Sequence, residues 1–165
     1  MAGQVTSPDP ARQLLRHIVA TLAYRAGKTL RGAPDEFAGF QASPTSRTPG
    51  QILAHLGDLM DWAFSITAGR QKWHDSEPLP WRQEVSRFFQ AVEAFDAYLA
   101  SDQPVRVEPG KLFQGGIADA LTHVGQIAML RRMAGCPVRG ENYFMANIAP
   151  GRVGFDQAAP VKEFD

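Results

Sequence analysis

The chain has 165 residues, and its 17 lysines and arginines balance 17 aspartates and glutamates. A neutral chain without a basic patch or charged tail argues against nucleic acid or an anionic membrane as the main partner. One cysteine cannot make an internal disulfide, the N-terminus lacks a signal peptide's apolar run, and no stretch nears the ~20 apolar residues of a membrane span, so one cytoplasmic domain over residues 1–165 is expected.

Residues 1–8 are expected to be frayed. Asp9 can cap a first helix, and Pro10 suits its first position, where a missing N–H costs nothing. Leu14, Leu15, Ile18, Val19, Leu22 and Ala26 then form one apolar face over residues 10–27, with Gly27 as the stop unless the helix frays on towards Gly32, and His17 pointing away. Residues 32–47 hold Gly, Pro and Ser without a period and read as a loop, with a turn around Phe37 and Phe40. Thr48-Pro49-Gly50-Gln51 is a capping box with proline at the first helical position, so a second helix covers residues 49–66. Residues 67–80 are a polar connection.

Val85, Phe88, Val92, Phe95 and Leu99 alternate three- and four-residue steps, the seam of a packed helix over residues 81–100. Residues 101–112 read as a loop. A fourth helix spans residues 114–134, where Ile117, Leu121, Val124 and Ala128 repeat and Ala120, Ile127 and Leu130 widen the stripe. Gly135 ends it. The tail, residues 135–165, is aperiodic yet keeps Tyr143, Phe144, Ile148, Val153 and Phe155, too much apolar surface to leave in water. With no credible strand pair, the expectation is an all-α four-helix bundle with an ordered irregular tail.

Two polar residues interrupt the fourth helix's apolar face. Asp119 and His123 are four apart, hence one turn apart on the same side. A carboxylate and an imidazole so spaced can point at one metal ion. His55 lies on a second apolar stripe, with Ile52, Leu56, Leu59 and Ala63. A histidine on such a face is commonly a hydrogen-bonded core residue. The alternative reading is that His55, Asp119 and His123 converge on one divalent metal, with Asp58 as the rival carboxylate or as a partner that orients an imidazole. Gln126 can reach the same site or make a packing hydrogen bond, and Leu59 and Trp62 can wall a pocket or belong to the core. His17 and His74 read as exposed and no ligands. Cys136, at a helix C-terminus that disfavours a thiolate, reads as inert, and Glu141, Asn142 and Tyr143 read as structural.

The stretches TPGQILAHLGDLMDWAF and DALTHVGQIAMLRRMAG, in this order on a four-helix chain, resemble the DinB/YfiT-like metalloenzyme superfamily, and the resemblance covers most of residues 48–155. It implies an antiparallel bundle with a crossover between the second and third helices, frequent homodimers, and a nickel or zinc site. That site would take one histidine from the second helix, matched by His55, and an H-x-x-x-H pair, whose second position is His123. The first position here is Asp119, and the related mycothiol-dependent maleylpyruvate isomerases are similar in having an acidic residue there.

Two imidazoles and a carboxylate suit zinc or nickel, and also manganese or iron(II). The functional expectation is a metal-dependent enzyme on a small-molecule substrate, either a thiol-dependent transferase or isomerase, or a hydrolase. Its alternative is a non-catalytic metal-binding or stress-associated bundle. A glycine-rich nucleotide loop and a nucleophile elbow are both missing from the sequence.

Overall fold

Asp9 accepts a hydrogen bond from the Ala11 N–H and Pro10 follows it, which fixes the start of α1 (Pro10–Leu30). The computed structural model describes residues 9–164, so the expected fraying of residues 1–8 lies outside them. The helix runs on through Gly27 towards Gly32, the longer of the two expected ends. Gly27 serves a close approach: a Cβ would stand 3.1 Å from the Gln157 side chain. The turn comes at Gly32, with φ +69°. Leu15, Val19, Leu22 and Ala26 are buried, but Leu14, placed on that face by its period, is 60% exposed because it falls just outside the stripe.

A 3₁₀ turn, Asp35–Gly39, buries Phe37 edge-on against Trp81, at 5.5 Å between ring centroids. α2 (Pro49–Thr67) starts on the full capping box. The Gln51 N–H donates to Thr48 Oγ1 (3.3 Å), and the Thr48 N–H donates back to Gln51 Oε1 (3.0 Å). α3 (Trp81–Ala100) buries Phe88, Val92, Phe95 and Leu99.

The expected loop before the last helix holds a further helical turn, α4 (Pro109–Leu112), capped by Glu108. A π-helical turn, Phe113–Ile117, joins it to α5 (Ala118–Met133), and the Ala118 N–H reaches back five residues to the Phe113 carbonyl. Gly116 sits where this turn presses on α2, since a Cβ would lie 3.2 Å from that of Ala63.

Among the described residues the fold is all-α apart from one small strand pair, and four long helices share one core. α3 and α5 each pack on both α1 and α2. Contacts fix the directions. Arg16 pairs with Asp96 and Arg12 reaches the Leu99 carbonyl, so α1 runs against α3. Gly116 meets Ala63 and His123 meets His55, so α5 runs against α2. In contrast, Arg87 meets Ala54, and Tyr98 meets Phe64 further along both helices. α2 and α3 therefore run the same way, and residues 68–80 return along α2 before α3 can begin.

The tail is ordered, with one correction: Gly140–Glu141 (β1) and Glu163–Phe164 (β2) pair antiparallel. Two-residue strands are too short to leave a period in the sequence. Glu141 is buried, accepts from Tyr24 Oη (2.6 Å) and lies 3.0 Å from Lys28 Nζ, which also bonds Glu163. Val153 is buried and Phe155 meets Phe89 edge-on, but Phe144 is 95% exposed, contrary to its expected packing: the short turn Tyr143–Met145 spends its inward direction on Tyr143, under the Arg25 guanidinium. Among the described residues no helix is long and apolar enough to cross a membrane.

Arg87 holds α2 and α3 in their common direction. Its guanidinium donates to Glu84 Oε1 (2.6 Å), Asp58 Oδ1 (3.0 Å) and the Ala54 carbonyl (2.6 Å), and both carboxylates are buried. Removing it strands two buried charges, so Arg87→Ala should lower stability by about 3–5 kcal/mol. Arg82, 85% exposed beside Asp35, is the control, and Arg82→Ala should cost about 1 kcal/mol or less. Urea unfolding of the two variants measures both, and equal midpoints would contradict the assignment.

Candidate metal centre

His55 projects from the second turn of α2, between buried Ala54 and Leu56, and His123 from the matching level of α5. Because the two helices are antiparallel and close, the rings meet edge to face with centroids 4.8 Å apart. Asp119, one turn before His123, completes the group, and the three ligand atoms all lie within 4.8 Å of one another. Asp119 Oδ1 is 3.5 Å from His123 Nε2, and its Oδ2 is 3.7 Å from His55 Nε2.

These distances are too long for hydrogen bonds. They are close to the roughly 3–3.5 Å that separates neighbouring donors around one ion with ligand bonds of about 2.0–2.2 Å. The donors also suit an ion chemically. His123 Nδ1–H donates to Gln126 Oε1 (2.7 Å), which turns Nε2 towards Asp119. Of the two readings of Gln126, the structure shows a hydrogen bond, made to a ring of its own helix. Burial first, then the nearby charges of His123 and Arg47, lower the pKa of His55 against the opposing pull of Asp119. His55 is therefore neutral at neutral pH, the form that binds metal.

Asp58, the rival carboxylate, belongs elsewhere. Its oxygens accept from the Ser76 N–H (2.8 Å), Ser76 Oγ (2.7 Å) and Arg87. His74 lies 3.0 Å from Asp58 and 3.4 Å from Asp61, so a histidine expected to be exposed is half-buried in a second acidic group. Asp58, Asp61 and His74 also bring ligand atoms together. Arg87, however, already supplies the positive charge there, and three hydrogen bonds occupy Asp58. The pairing Asp58–Asp61 was visible as an i, i+3 spacing on α2. His74 was not, since the returning segment has no period.

That segment also lays Trp73 over His55, its ring 5.7 Å from that of His55 and 6.4 Å from that of Trp62. Trp62 and Leu59, expected to serve as pocket wall or core, do line a cleft of about 580 Å³ with His55 and Asp119. Glu141, Asn142 and Tyr143 take the structural role expected of them: Glu141 pairs with Tyr24 and Lys28, and Asn142 caps its 3₁₀ turn. His17 is exposed as expected, and Cys136 packs on the core, its carbonyl accepting from Arg131. No family model, curated protein or solved structure matches this chain.

The lowered pKa of His55 gives a sign for pH dependence. In the metal-free protein the unfolded chain binds this proton more readily, below about pH 6.5. Stability should therefore fall as pH drops from about 6.5 through the folded pKa, and His55→Gln should remove that part of the slope. Imidazole NMR titration should place the His55 midpoint below 6.5, and a midpoint above it would contradict the burial described.

Proposed function

We propose that this chain is a DinB-like metal-binding protein, a four-helix bundle in which His55, Asp119 and His123 hold one divalent transition metal, zinc or nickel first. The observation that carries the reading is the joint approach of two imidazoles and one carboxylate at metal-ligand spacing, on two antiparallel helices. A same-direction pair α2–α3 joined by a returning segment agrees with the crossover that the DinB/YfiT resemblance implies.

The reading extends to an enzyme of the cytoplasm, a homodimer acting on a small molecule. A divalent ion there, with the single negative charge of Asp119 beside it, keeps a net charge of +1 and supplies a Lewis acid that attracts thiols, carboxylates and other anions. The chain does the rest. Gln126 fixes the His123 ring, Asp119 balances charge while staying half-exposed, and Trp62 and Trp73 form aromatic walls on one side of the site. Leu56 and Val124 follow the two histidines, so the glutamate base of an H-E-x-x-H hydrolase is missing. Thiol-dependent transfer or isomerisation fits better than peptide hydrolysis.

Elemental analysis of untagged protein should find one divalent ion per chain. His55→Ala, Asp119→Ala and His123→Ala should each lose most of it, while Asp58→Ala keeps it. Full retention in both histidine variants would move the site elsewhere. Cobalt-loaded protein should change its spectrum on titration with small thiols, and an unchanged spectrum would favour a non-catalytic metal-binding bundle. Light scattering at micromolar concentration should give the mass of two chains, and a monomer mass would count against the homodimer.

A further inference from the structure

The three-residue group opens on two clefts of different chemistry. One, described above, is walled by Trp62 and Trp73 and carries the charge of Asp119. The other, of about 620 Å³, lies on the far side of the imidazoles, between Arg47, Ile52, Met129 and Leu130. That volume is in the range of small-ligand sites, about 300–1,000 Å³. Among the residues lining it, Arg47 carries the only formal charge. We infer that Arg47 docks the carboxylate of an anionic substrate whose reacting end lies at His55, Asp119 and His123, an inference that rests on the metal-site reading above.

The backbone of Arg47 is held on both sides. Ser46 is tied to Ser43, with the Ser46 N–H donating to the Ser43 carbonyl (3.1 Å) and the Ser43 N–H to Ser46 Oγ (3.0 Å). Thr48 is fixed by the capping box of α2. The guanidinium itself is exposed, and among the described residues no carboxylate lies within ion-pair distance of it, although Asp75 and Glu77 line the smaller adjoining cleft. A pinned backbone keeps an unpaired guanidinium within reach of the cleft mouth, open to an incoming anion.

The cleft selects the anion. A guanidinium takes a planar carboxylate through two parallel N–H bonds. Gln126 gives its oxygen to His123 and keeps its amide N–H groups free for a polar substituent. A guanidinium takes phosphate by the same fork, but the walls Ile52, Met129 and Leu130 are apolar and offer no donors to a phosphate's further oxygens. The substrate class is therefore a small carboxylate with an apolar body, and Arg47 is its specificity-determining residue.

The test uses the full untagged chain, metal-free and zinc-loaded, with zinc content measured on every sample. Fluorine NMR follows 5,5,5-trifluoropentanoate, its methyl ester and, in competition, inorganic phosphate. The carboxylate should bind zinc-loaded wild type saturably, and the ester should not. R47Q should weaken binding tenfold or more, R47K should fall between, and both should keep wild-type zinc content and melting temperature. Equal binding by R47Q and wild type, no binding at all, or phosphate displacing the carboxylate in an Arg47-dependent way would overturn the inference. Zinc uptake without Arg47 dependence sinks the carboxylate dock alone. Arg47-dependent binding in a chain that takes up no zinc supports the dock and sinks the metal reading.

Discussion

The guanidinium of Arg87 is the interaction on which the arrangement depends. Asp58 and Glu84 are buried carboxylates on two helices that run the same way, and neither is tolerable there without a cation between them. Same-direction neighbours cannot be joined by a tight turn, so residues 68–80 must travel back along the length of α2. Asp58 holds that return through Ser76, and the return lays Trp73 across His55. The charge cluster around Arg87 thus decides what lies over His55.

The two acidic groups on α2 and α5 make an instructive contrast. Asp58 is almost fully buried, satisfied by three donors and neutralised by arginine. Asp119 is half-exposed, faces two imidazole nitrogens at distances too long for hydrogen bonds, and among the described residues has no arginine or lysine in ion-pair contact. Carboxylate count alone would rank them equally. What separates them is that the chain itself provides the positive charge beside Asp58, through Arg87, and only imidazoles beside Asp119.

Much of this was legible before any coordinates. The caps at Asp9 and Thr48 are local chemistry, and both form as the residue types dictate. The periods of α2, α3 and α5 report burial directly, and they place His55 and His123 on inward faces. Long-range effects were illegible. Gly27 looks like a stop but serves the tail's close approach, a role set by Gln157, 130 residues away in sequence. Leu14 and Phe144 are apolar yet exposed, because composition records hydrophobicity and not direction. The β1–β2 pair is two residues long, and α4 announced itself only through Glu108-Pro109, a cap signal inside a segment otherwise read as loop. His74 and Arg47 joined acidic group and cleft through tertiary placement of irregular segments.

The π turn at Phe113–Ile117 carries a consequence of its own. It accommodates one residue more than an α-helical turn, and each residue gained or lost in a helix rotates the downstream side chains by about 100°. Leu112, fully buried, anchors the chain before the turn, so the bearing of Asp119 and His123 is measured from there. Wound as uninterrupted α-helix, the same residues would carry Asp119 and His123 round by about 100°, off the axis of His55, without a change in either one's identity. Loss of one residue at the Gly115-Gly116 doublet, closing the turn into α-helix, would instead keep their bearing. The winding of this one turn thus aims the group as much as any of its side chains does.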